Sequence, residues 1–277
     1  MSSRRTRIIA ALLMAPVAIA AVYYLPTPYL AAVVAAILLA GLWEWSALAG
    51  LTEKIPRSLY VAGNALMMLA LAWGSTGQGL FLYLLISVIG AIWWLFVCLW
   101  LWRFEFAKKD TSLNRSIKLL AGSLSVIPAW CALAWLHNSS TIGPRWALFA
   151  VAIAWAADSG AYFVGVRYGK HKLAPRISPG KSWEGVLGGV IAILLLAIAA
   201  TPLLGLFWSE LGWLLLLTIV TMIFSVVGDL FESLMKRHSG HKDSSDLIPG
   251  HGGLMDRLDS LLAVLPIFVI GKSWLDL

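Results

Sequence analysis

Charge is scarce in this chain of 277 residues: 13% are Asp, Glu, Lys or Arg, against 60% hydrophobic. Soluble domains run near about 25% charged and about 45–50% apolar, so a soluble enzyme is excluded and an integral membrane protein is indicated. Cysteine is nearly absent too. Cys98 and Cys131 both lie inside apolar stretches, which leaves neither a disulfide framework nor a cysteine metal site. There is no internal repeat, no low-complexity tract and no soluble domain. Acidic residues are fewer than basic ones, giving a net charge of +7. That positive charge sits in short loops, not on the face of a soluble module. Nucleic acid is therefore excluded as a partner, and anionic headgroups or phosphorylated substrates are favoured.

What is present is a series of apolar runs near the about 20 residues a membrane helix needs. They predict an all-α polytopic membrane protein of about nine transmembrane helices. The spans lie near Ile8 to Tyr24, Tyr29 to Leu48, Leu59 to Trp73, Leu80 to Trp102, Leu119 to Leu136, Trp146 to Val166, Trp183 to Leu206, Trp213 to Leu234 and Leu258 to Trp274. The third is short. The break from Pro26 to Pro28 separates two spans or marks a re-entrant hairpin. Arg4, Arg5 and Arg7 ahead of an apolar run resemble a signal peptide, but the segment is taken as a retained first span. Tryptophans at span ends, such as Trp73, Trp102, Trp146, Trp183, Trp213 and Trp274, fit an interfacial belt. With the N-terminus cytoplasmic and the C-terminus outside, every Lys and Arg except Arg145 and Lys272 falls on the inner side, as the positive-inside rule expects. The chain divides into an N-terminal scaffold of helices over 1–145, offering a dimer or lipid-facing surface, and a catalytic region over 146–277 with its site facing the cytoplasm.

Charge is concentrated from Gly228 to Ser260. Asp229, Glu232, Ser233 and Lys236 are spaced i, i+3, i+4 and i+7, so they share one helical face. A carboxylate at this depth costs about 2.5–3.5 kcal/mol unless it is paired or hydrated. Asp256 and Asp259 repeat the i, i+3 spacing at the start of the last span. Two helices on either side of one short loop, each offering a carboxylate, can hold a hard cation such as Mg²⁺. Between them, Pro249-Gly250-His251-Gly252-Gly253 forms a flexible turn whose amides, ahead of a helix, suit an anion. His238, His241 and His251 lack the spacing and cysteine partners of a zinc site; His251 donates to a phosphate or shapes the turn.

Upstream, Asp158-Ser159-Gly160-Ala161-Tyr162 lies inside the sixth span. Asp158 there takes either a structural hydrogen bond or a direct role. Gly180-Lys181-Ser182 looks like the end of a nucleotide-binding P-loop, but Pro175 stands where that pattern needs glycine. Lys181, at the start of a helix, remains a phosphate ligand candidate. Glu44, between Trp43 and Trp45, reads as structural.

The run Ser233-Leu234-Met235-Lys236-Arg237, then four residues, Lys242-Asp243, and Pro249 through Gly250-His251-Gly252-Gly253-Leu254-Met255-Asp256-Arg257-Leu258-Asp259 resembles the signature of the phosphatidate cytidylyltransferase (CDP-diacylglycerol synthase) family. The segments DSGAYFVG and SPGKSWEG are similar to that family as well, so the likeness runs from about residue 150 to the C-terminus. The resemblance implies transfer of CMP from CTP to phosphatidic acid in phospholipid biosynthesis, in a bacterial inner membrane. It also implies a Mg²⁺ requirement, with or without a second cation, and a homodimer. On this reading Asp229 and Asp256 bind the metal, supported by Asp243 and Asp259. Lys181, Lys236, Arg237, Lys242 and Arg257 contact phosphates, with Ser233, His251, Gly252 and Gly253 lining the substrate and Asp158 and Glu232 in support. The competing classes are an ion-coupled transporter, since buried acids mark ion pathways, and another membrane lipid phosphotransferase.

Overall fold

A computed structural model of the chain describes residues 15–78, 80–241, 244–245 and 252–277. Among these, eight helices are long and apolar enough to cross a membrane, and a shorter apolar helix precedes them. Hydrocarbon offers the backbone no hydrogen-bond partner, so apolar runs of this length form helices. In chain order they are α1 (Ala15–Tyr24), α2 (Thr27–Leu48), α3 (Lys54–Gln78), α4 (Phe81–Trp102), α5 (Ser112–Asn138), α6 (Gly143–Tyr168), α7 (Trp183–Ala200), α8 (Leu211–Ser239) and α9 (Met255–Leu275). The first fourteen residues, with Arg4, Arg5, Arg7 and the start of the first predicted span, lie outside the described residues.

Helix ends depart from hydropathy where local chemistry decides them. Pro26 leads into α2, so the break at Pro26 to Pro28 separates two helices. Thr111 caps α5 by accepting the Asn114 amide at 3.2 Å, which starts the helix well before the apolar run. Thr201 and Pro202 end α7 short of the predicted Leu206, since proline lacks the amide a helix needs. Polar Lys236, Arg237 and His238 do not end α8. They fill its last turn, where cations suit the helix dipole, and Gly240 closes it at φ 75°. One connection between the helices carries a short hairpin. β1 (Lys172–Ala174) and β2 (Ser178–Ser182) pair antiparallel in the connection between α6 and α7.

α5, α8 and α9 are the most enclosed spans, while α3 turns much of its apolar surface outward. α9 packs on α2, α4, α5, α6 and α8. α6 and α7 meet through small residues. A side chain on Gly160 would come within 2.5 Å of the Gly188 carbonyl oxygen, the close backbone approach that drives helix association in membranes. On the side of α8 away from its acids, Phe231 lies among Trp45, Trp93, Trp94 and Trp100, with ring centroids 5.3–6.0 Å apart. The indoles find acceptors of their own: Trp45 Nε1 donates to the Lys118 carbonyl at 2.7 Å and Trp94 Nε1 to that of Leu262 at 3.0 Å. This aromatic cluster fixes the rotation of α8, and hence the direction of its acidic face.

Phe231→Ala opens a cavity at the centre of that cluster and is expected to cost about 3–5 kcal/mol. Thermal unfolding followed by tryptophan fluorescence in detergent reads the loss; an unchanged midpoint would show that the cluster does not hold α8.

Candidate active site

The acidic face of α8 meets the start of α9 because Gly228 has no side chain. A Cβ there would lie 2.5 Å from the Asp259 carbonyl oxygen. α8 therefore presents Glu232 and Lys236 directly to Asp256. Lys236 Nζ donates to Glu232 Oε2 at 2.5 Å and also to Asp256 Oδ1. Asp256 Oδ2 accepts the Gly253 amide at 2.8 Å, the Ser244 amide at 3.0 Å and the Ser244 hydroxyl at 2.9 Å. One oxygen of Asp256 thus answers a lysine and the other orders the loop.

A second ion pair arrives from the hairpin. Lys181, on β2, lies with Nζ 2.5 Å from Asp229 Oδ2, and Ser233 Oγ donates to Asp229 Oδ1 at 3.4 Å. The hairpin is tied to α8 by Arg237, whose Nε donates to the Ile177 carbonyl at 3.1 Å. Arg176 braces the other side, over the Phe104 ring and 3.3 Å from Glu105 Oε1. Ser182 caps α7 by accepting the Gly185 amide at 3.1 Å. Asp158 of α6 is exposed in mid-span, in electrostatic range of Asp229, Lys181 and Arg257, with Ser260 Oγ 3.5 Å from its Oδ2. Asp259 accepts the Ser260 amide at 2.7 Å and lies near Asp229, Glu232 and Asp158. Both Asp158 and Asp229 stand about 15 Å from the Tyr168 and Ser239 ends of their helices, at about 1.5 Å per residue.

Sequence reasoning has Asp229 and Asp256 meeting across a metal. The structure pairs each with a lysine, Lys181 and Lys236 respectively. Among the described residues no group of three or more His, Cys, Asp or Glu is arranged as a metal cluster. The amides of the turn ahead of α9 are already taken. Gly252 does take a positive φ of 78°, but the anions against the helix start are the protein's own. Asp256 takes the Gly253 amide, and Glu44 takes those of Leu254 and Met255 at 3.0 and 2.8 Å. His238 turns away from the acids, its Nε2 2.7 Å from the Phe104 carbonyl oxygen. His241 and Arg257 are exposed. Lys242, Asp243, Asp246, Pro249, Gly250 and His251 lie outside the described residues.

Ser244, Ser245 and Glu44 are neighbours of these groups that the motifs passed over or set aside. A signal existed for Glu44, since a carboxylate between two tryptophans inside a span needs partners for the same reason as Asp229.

Comparison with known proteins gives the constellation a lineage. The model of the cytidylyltransferase family matches residues 5–273. A phosphatidate cytidylyltransferase of Pseudomonas aeruginosa is 39% identical over 264 residues, covering 95% of both chains. One of Haemophilus influenzae is 35% identical over 288 residues, covering 95% of this chain and 96% of the relative. One of Bacillus subtilis is 43% identical over 136 residues, about half of each chain (47% and 48%). By its match along almost its whole length, the chain belongs to the cytidylyltransferase family.

Proposed function

We propose that this chain transfers CMP from CTP to phosphatidic acid, releasing pyrophosphate and leaving CDP-diacylglycerol in the bilayer. The full-length relatives, named for that activity, support the reaction. One observation supports the site: two lysines from different elements, Lys181 and Lys236, are each held by a carboxylate where α6, β2, α8 and α9 converge. Phosphatidic acid is ionised at neutral pH, so its phosphate oxygen attacks the α-phosphorus of CTP without a general base. The new P–O bond forms as the bond from the α-phosphorus to the bridging oxygen breaks, and that electron pair leaves with pyrophosphate. No covalent enzyme intermediate is needed.

The obstacle is repulsion between two anionic substrates, so fixed positive charge aimed at the phosphates is the main catalytic resource. Lys181, Lys236, Arg237 and Arg257 supply it, joined by Lys242. Five acids, Asp158, Asp229, Glu232, Asp256 and Asp259, stand among these bases. The donor set is one of carboxylate oxygens, which suit Mg²⁺, and among the described residues Glu232 Oε1 is buried without a partner. Asp229 and Asp256 would hold the ion, with Asp243 and Asp259 in support. Bound there, it would offset the charge of the phosphates. Residues 146–277 supply these groups and residues 1–145 the scaffold. The working unit is a homodimer, as the family resemblance implies.

The site is placed at the cytoplasmic face of a bacterial inner membrane, N-terminus inside and C-terminus outside. The placement of basic residues supports this. A probe of topology uses a chain without its native cysteines. Asp110→Cys is expected to react with a membrane-impermeant maleimide from the cytoplasmic side and Ser140→Cys from the other; the reverse pattern overturns the orientation.

Asp229→Asn, Asp256→Asn and Lys181→Ala are each expected to lower CTP-dependent pyrophosphate release by about 10²-fold or more while the protein stays folded. Near-normal activity in either Asp variant removes that residue from the metal site. In liposomes, solute uptake without CTP would favour a transporter instead.

A further inference from the structure

We infer that Glu44, on α2 in the N-terminal half of the chain, is a positioning residue of the active site, fixing the start of α9 and through it the Asp256 carboxylate. The inference rests on the proposed role of Asp256.

Glu44 is 4% exposed, and both its oxygens are used. Oε1 accepts the Ser245 hydroxyl at 2.5 Å and the Leu254 amide at 3.0 Å. Oε2 accepts the Met255 amide at 2.8 Å and the Ser244 hydroxyl at 3.0 Å. The first amides of a helix have no partner within it, and the residue ahead of α9, Leu254, has no capping side chain. Glu44 therefore supplies from another helix the cap that α9 lacks, with a charge of the sign that a helix start favours. Ser244 Oγ carries one hydrogen, yet it lies 3.0 Å from Glu44 Oε2 and 2.9 Å from Asp256 Oδ2. The two carboxylates thus share the single proton of one hydroxyl. The space between them is filled by protein: a side chain on Gly253 would come within 2.5 Å of Glu44 Oε2 and 1.9 Å of Ser244 Oγ.

Glu44 is itself held rigidly. Arg57 donates to the Trp43 carbonyl at 2.6 Å and to Ser46 Oγ at 3.1 Å, and lies 4.1 Å over the Trp43 ring. Trp45 is anchored on the Lys118 carbonyl. The cytoplasmic end of α2 is thus fastened to α3 and α5 before it meets α9. A cap needed for stability alone would be served by a residue on the loop itself; a carboxylate carried on a braced helix fixes position as well.

The test uses the full-length chain in lipid nanodiscs, with Glu44→Gln, Ser244→Ala, the double variant and Asp256→Asn. Glutamine keeps one acceptor oxygen and sets an NH₂ against two donors. Glu44→Gln is expected to lower kcat by about 10²-fold, the scale of a 1 Å misplacement, with KM for CTP little changed. Amide exchange should quicken at residues 253–255 and not in α6 or α7. The double variant should lose no more than the larger single loss, since both act through Asp256. Should Glu44→Gln fail to fold, Ser244→Ala, which removes one hydroxyl, carries the same kcat and exchange test. Normal kcat in a folded Glu44→Gln or Ser244→Ala, or strictly additive losses, overturns the inference. Such a result beside an inactive Asp256→Asn leaves the proposed site standing, whereas an active Asp256→Asn removes both.

Discussion

Carrying a carboxylate into hydrocarbon costs about 2.5–3.5 kcal/mol on insertion scales, unless a partner or water meets it there. This chain places Glu44, Asp158, Asp229, Glu232, Asp256 and Asp259 on helices that span or border the apolar bundle, and the arrangement of those helices follows from finding partners for them. Asp229 recruits Lys181 from the hairpin, Asp256 and Glu232 share Lys236, and Glu44 takes two backbone amides and two hydroxyls. Each of these contacts except the Glu232–Lys236 pair joins elements separated in sequence. Charge neutralisation therefore does in this bundle what hydrophobic burial does in a soluble core, since apolar packing against lipid distinguishes one helix orientation from another only weakly.

Packing supplies the precision that charge alone lacks. Phe231 and its tryptophan neighbours rotate α8 so that its acids face inward, and Gly228 lets the backbone of α9 approach closely enough for Lys236 to reach Asp256. Lys236 also stays within its own helix through Glu232, one turn away. A lysine held on two sides is a fixed charge, and fixed charge is what stabilises a developing anion without reorganisation.

Much of the span pattern was legible in the sequence because membrane helices are continuous apolar runs, and the shared face of Asp229, Glu232, Ser233 and Lys236 followed from helical periodicity. Helix ends were less legible. α8 runs on to Ser239 through charged residues that hydropathy scores as loop but that suit a helix C-terminus. The β1–β2 hairpin was hidden because strands of three and five residues, the second containing Pro179 and Gly180, give no alternating pattern. Least legible were the partners of the acids. Nothing local in Lys181 points to Asp229, since that pair depends on how the hairpin folds back, and Glu44 read as structural, its partners on the start of α9 lying more than 200 residues away in sequence.

The start of α9 brings these constraints to bear on substrate recognition. A Gly-rich turn ahead of a helix is ordinarily an anion site, and the amides of Gly253, Leu254 and Met255 would suit a phosphate. They are instead satisfied by Asp256 and Glu44. On the proposed reading, phosphate recognition therefore passes to side chains, and the lysines among them are point charges on flexible stems that can follow a phosphate through in-line transfer. Committing the helix start to internal carboxylates gives up one anion site and in exchange fixes Asp256, whose other oxygen holds Lys236. On that reading the turn acts on the substrates indirectly, by setting where that lysine stands.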